Sequence, residues 1–327
     1  MGDVIPVIAA SPHPFPGGRV RRSLALHRFA VVTAAATLGL IFAGGLVTST
    51  ESGLSVPDWP LSYGKLMPPM VGGVRYEHGH RMVATTVGIL TVILAVWLSR
   101  REPRRWVRRL GWLAVAAVVA QGVLGGLTVL FLLPTPISVA HACLAQTFFC
   151  LAVAIAVVTS PHWERGSAVE PVTRLAALTA AAVFLQLMVG AVMRHTKAGL
   201  SIPDFPLSLG RVIPPLDTFP VAIAFAHRAW AVVVTILVAV TLAAAFRSGR
   251  SGVSRASLAL GAVLILQIGL GAATVLSRKN VAVTTAHVAT GALLLGTAVA
   301  LAVGSLSRPR LAVVSSQPVE AKVVAWK

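Results

Sequence analysis

Long apolar stretches alternate with short polar ones along nearly the whole chain. Runs of about 20 residues, the length that crosses a bilayer as a helix, can be drawn eight times. They lie at approximately 24–48, 78–99, 110–131, 137–159, 172–194, 221–246, 256–277 and 282–304. The first run follows an arginine cluster but carries no clear small-residue cleavage site, so it reads as a retained helix. The pattern predicts an all-α membrane protein with eight transmembrane helices.

The sequence is also duplicated. Residues 53–62 (GLSVPDWPLS) return as residues 199–208 (GLSIPDFPLS), and Gly64, Pro68, Pro69 and Gln121 return as Gly210, Pro214, Pro215 and Gln267. Each copy carries four runs, an even number, so both copies enter the membrane in the same orientation. They are expected to form two parallel four-helix-bundle repeats. The expected organisation is a disordered cytoplasmic lead (1–23), an N-terminal bundle (24–160), a polar linker (161–171), a C-terminal bundle (172–306) and a cytoplasmic tail (307–327). The long connections after runs one and five are rich in Pro and Gly, which excludes a long helix and predicts turns folded over each bundle.

Composition agrees: 56% of the 327 residues are hydrophobic and 12% charged. The net charge of +18 invites a nucleic-acid reading, but its distribution excludes it. Arg19, Arg21, Arg22, the 100–109 arginine cluster, Arg165, Arg247, Arg250, Arg255 and the basic tail all fall on one side of an eight-span topology. That is the positive-inside bias, and it places both termini in the cytoplasm of an inner (plasma) membrane protein. Cys143 and Cys150 are the only cysteines. They fall two turns apart in one run, about 10 Å along a helix, too far for a disulfide.

Four histidines carry the candidate chemistry. His80 and His141 return as His227 and His287. In the eight-span topology all four lie at similar depth, on parallel helices, within the outer part of the bilayer. Ionisable groups there are costly and point to function. Two imidazoles facing one another across a bundle suit bis-histidine ligation of a heme iron. Gly125, Gly126, Gly269 and Gly271 let helices approach a flat macrocycle. Arg81 and Arg228 each follow a histidine and are candidates for heme propionates. Gln121 and Gln267 are read as interhelical hydrogen bonds. His78 adjoins the motif but points off the face of His80, and His195 is placed in the outer loop, where its counterpart is Ser49.

The copies differ at one informative place. The first reads Glu77-His78-Gly79-His80-Arg81 and the second Ala224-Phe225-Ala226-His227-Arg228. Glu77 stands one turn before His80 on the same face. A carboxylate at a dry heme edge can act as a base or stabilise positive charge. A di-iron site would need a second such motif and two more glutamates; the chain has one such motif, and its second half offers no matching acid.

The eight runs, the Glu77-x-x-His80-Arg81 motif, the histidines at spans two, four, six and eight, and the block Thr50, Glu51, Ser52, Gly53, Leu54 together resemble the heme A synthases, over roughly residues 24–306. The resemblance implies oxidation of the C8 methyl of heme O, by successive hydroxylations, to the formyl of heme A for terminal oxidases. It implies His80 and His141 as ligands of substrate heme O, with Glu77 the essential acid. His227 and His287 would then hold a permanent heme b. Heme O synthase and an electron-transfer protein are the expected partners, with a homo-oligomer possible. Residues 56–59 and 202–205 hold no cysteine, which places the chain nearest the family's cysteine-free branch. Two alternatives are a diheme b-type electron-transfer subunit, which would not need the Glu77 asymmetry, and a secondary transporter, which would place polar residues at the bilayer midplane.

Overall fold

A computed structural model of the chain describes residues 23–161, 163 and 170–306. The lead and the tail expected at 1–23 and 307–327 fall outside these residues, except Ser23, as does most of the linker. Eight α-helices lie among the described residues: α1 (Leu24–Ser49), α2 (Val74–Arg101), α3 (Arg105–Leu130), α4 (Thr135–Thr159), α5 (Glu170–His195), α6 (Phe219–Arg247), α7 (Ser251–Leu276) and α8 (Val281–Gly304). All eight are long and apolar enough to cross a membrane. They extend beyond the apolar runs into charged flanks such as Arg105–Arg109 and Ser251–Arg255, because interfacial polar residues continue a helix without cost. Glu170 and Pro171, assigned to the linker, instead open α5.

Helix ends are set locally. Ser23 caps α1, its hydroxyl accepting from the Leu26 amide, and Asn280 caps α8 by accepting from Ala282 and Val283. Pro136 and Pro220 sit in the first turns of α4 and α6, where no backbone donor is missed. Within the helices, buried hydroxyls donate to the carbonyl one turn back, as Thr37 does to Thr33 and Thr91 to Val87. In lipid such groups have no water to fall back on.

In each half the helices pack in the same ring, α1–α2–α3–α4 back to α1 and α5–α6–α7–α8 back to α5. Helices α1 and α4 of the first ring meet α8 and α5 of the second. Lipid tails are as apolar as leucine, so these seams rely on close fit. The Phe149 ring of α4 presses on α8 so closely that a Cβ at Gly296 would lie 2.7 Å from it. Polar ties run across the seam as well: Trp163 Nε1 donates to Val303 O (2.8 Å) and Arg194 Nη2 to Gly45 O (2.8 Å).

Candidate functional site

Each of the four histidines is half-buried and lies edge-on to a glycine of the preceding helix. A Cβ at Gly44 would stand 3.0 Å from His80 Cε1, at Gly125 3.1 Å from His141, at Gly190 3.0 Å from His227 and at Gly271 3.0 Å from His287. Any side chain at these positions would push the imidazole aside. Gly125 and Gly271 were expected to matter. Gly44 and Gly190 were missed, although they recur at the same offset of 146 positions as the other pair.

His80 on α2 and His141 on α4 stand on diagonal helices of the first ring, and His227 on α6 and His287 on α8 do so in the second. The structure therefore gathers one histidine pair per bundle. Nδ1 of His80, of His141 and of His287 is buried with no hydrogen-bond partner. A buried imidazole nitrogen left unpaired is costly, and metal ligation is one way to use such a ring. Among the described residues no three His, Cys, Asp or Glu come together as a metal site. Two imidazoles per bundle fit a metal that brings its other donors with it, as iron does in a porphyrin.

Three of the four histidines are underpinned by an amide. Gln121 Nε2 donates to His141 O (3.0 Å), and Gln186 Nε2 to His227 O (2.8 Å) while lying against the His227 ring. Gln267 reaches Gly291, one turn past His287. At the matching place for His80 the chain has Leu40. Gln186 was not singled out from sequence, because that mismatch hides it from a search for repeats.

Both long connections do fold back over their bundles. Asp58 accepts from the Tyr63 (2.6 Å) and Gly64 (2.8 Å) amides, and Asp204 from Leu209 and Gly210 (both 2.8 Å). These amides, those of Gly64 and Gly210 foremost, hold both carboxyls below their ordinary pKa. Val56 and Ile202 plug the loops into the helix ends and are fully buried. Arg81 Nη1 donates to Asp58 O (2.8 Å) and Leu61 O (2.9 Å), and its Nη2 to Val56 O (3.3 Å). Arg228 likewise donates to Leu207 O and Ile202 O, both at 2.8 Å. These two arginines thus fasten the loops. His78 is buried and bonds Ser62 Oγ (2.8 Å), so it too serves the loop rather than the face of His80. His195 is the last residue of α5 and not a loop residue; the helix runs on past the apolar pattern.

Two differences set the first half apart. Glu77 is buried at 4% exposure, with Oε2 accepting from the Val56 amide (2.8 Å) and Oε1 from Arg81 (2.7 Å). Ala224 leaves the second half without this carboxylate. The Trp59 ring, too, lies on Gly126 so tightly that a Cβ there would be 2.6 Å from it. Gly126 adjoins Gly125, the glycine beneath His141. The matching residues are Phe205 and Ala272.

A family model described as cytochrome oxidase assembly protein matches residues 27–72 and 74–299. The chain is 32% identical over 237 residues to the heme A synthase of Halalkalibacterium halodurans, covering 68% of this chain and 76% of the relative. The chain belongs to the heme A synthase family. To the heme A synthase of Rhizorhabdus wittichii it is 26% identical over 341 residues, covering 88% of this chain and 93% of that one. To that of Symbiobacterium thermophilum it is 32% identical over 227 residues, covering 65% and 73%. The family match spans both rings and both folded-back loops, so the four histidines and Glu77 all fall inside it.

Proposed function

We propose that this chain is a heme A synthase, an oxidoreductase that converts the C8 methyl of heme O to the formyl of heme A by successive hydroxylations. Family membership supports the activity. The division of labour between the halves rests on one observation, the buried carboxylate of Glu77 where the second half has Ala224.

In this reading the N-terminal bundle takes the substrate, with His80 and His141 as ligands of heme O iron. Glu77 is clamped between an amide and a guanidinium. It therefore offers a fixed negative charge to positive charge developing at the methyl carbon, the arrangement in which electrostatic stabilisation is most effective. His227 and His287 hold a permanent heme b, which supplies one-electron redox chemistry when bound. Arg81 and Arg228 would meet a propionate only with N–H groups not already given to the loops. The protein works in the plasma membrane with both termini in the cytoplasm, beside a heme O synthase and an electron-transfer partner.

The test is pigment extraction and chromatography. Protein made alone should carry heme b, and protein made with a heme O source should yield heme A. Persistent heme O, with no hydroxylated or formyl product, would overturn the reading.

A further inference from the structure

Arg194 is a cation without an acid. Among the described residues no carboxylate pairs with it. It stands in the last turn of α5, and its Nη2 crosses the seam to donate to Gly45 O (2.8 Å) and Ser49 Oγ (3.0 Å) of α1. Gly45 in turn presses on α8. A Cβ there would lie 3.4 Å from Val288 Cγ1 and 3.5 Å from Thr285 Cγ2, one residue after and two before His287. The guanidinium is thereby fixed, through Gly45, beside the stretch of α8 that carries His287. The next residue, His195, accepts at its carbonyl from the Thr135 hydroxyl of α4 (3.4 Å).

The repeat has nothing like this. The counterparts of Arg194 and His195 are Thr48 and Ser49, and the Thr48 hydroxyl turns back on its own helix to Gly44 O. Among the described residues, Arg194 thus stands at the seam with no acid partner, beside the stretch of α8 that carries His287.

We infer that Arg194 tunes the C-terminal heme, its fixed positive charge favouring the ferrous form and raising that site's reduction potential. The inference rests on the reading of His227 and His287 as heme ligands. A ferric heme carries one more positive charge than a ferrous one, so a nearby cation destabilises the oxidised form. Lipid and packed helices screen that effect far less than water does.

The experiment is an optical redox titration of the purified, heme-loaded protein in lipid nanodiscs. Arg194→Gln, which retains an amide donor without the charge, should keep the heme and its absorption spectrum. Poised at the wild-type midpoint, its ratio of reduced to oxidised heme should fall about tenfold, the size of effect that loss of one weakly screened charge produces. Arg194→Lys should keep the wild-type ratio. An unchanged ratio in Arg194→Gln overturns this inference alone. Loss of heme in both variants overturns it too, by making Arg194 a staple between the halves. A wild-type protein that binds no heme would overturn the functional reading beneath it.

Discussion

In the first half the amide of Val56 donates to Glu77, and Glu77 is paired with Arg81. In the second half the equivalent arginine, Arg228, holds the equivalent loop with no carboxylate at all. The loops nevertheless take the same form, down to the Asp58 and Asp204 turns and the short Ser62–Lys65 and Ser208–Arg211 bridges. Arg228, the Asp204 turn and buried Ile202 therefore hold such a loop without a counterpart of Glu77. Glu77 is thus an addition to a frame that closes in the second half without it, and the proposed chemistry gives that addition a use.

The sharpest way to break this comparison is to remove ligands. His227→Ala or His287→Ala should strip the resident heme completely, while His80→Ala and His141→Ala keep it, as read by heme content per chain. Equal loss from both halves would make the sites equivalent. Next is Glu77→Ala, which should lower heme A formation by about 10²-fold or more with resident heme retained. Glu77→Gln separates two roles for the side chain. Gln still accepts from the Val56 amide, so a loop-anchoring role predicts recovery and a charge role predicts none.

Smaller effects concern the loops. Gly126→Ala should destabilise the protein by about 1–3 kcal/mol through overpacking against Trp59. Ala272→Gly should cost only about 0.5–1 kcal/mol; thermal denaturation in detergent measures both. Smallest is the acid response. Asp58 and Asp204 have lowered pKa values in the folded loops. Their contribution is thus present above the ordinary carboxylate range and is lost as pH falls through the lowered values. Limited proteolysis at a pH well below the ordinary carboxylate range should open both loops together; one opening alone would break their equivalence.

Much of this architecture could be read from the one-dimensional pattern. Eight apolar runs, four repeated histidines and the Glu77–Ala224 mismatch all survive projection onto a string. What was lost depended on acceptors that a string does not display. Arginine beside a candidate heme ligand suggests a ligand anion, yet Arg81 divides its donors between Glu77 and loop carbonyls and Arg228 donates to loop carbonyls, which carry no sequence signature. Gln186 and Arg194 escaped because their counterparts, Leu40 and Thr48, differ from them. A search for what repeats finds the scaffold and passes over what only one copy has. Gly44 and Gly190 were within reach, since comparing every glycine at the offset of 146 exposes them.

The contact of Trp59 with Gly126 also constrains history. To turn this corner of the first half into the residues of the second, Trp59 must become Phe and Gly126 must become Ala. Changing the glycine first sets a methyl group 2.6 Å from an indole ring. Changing the tryptophan first leaves only a small gap. Of the two single-step intermediates, Phe with Gly is the passable one, and it lies on the path in either direction. Copies that diverged through this pair did so in an order fixed by the size of one ring.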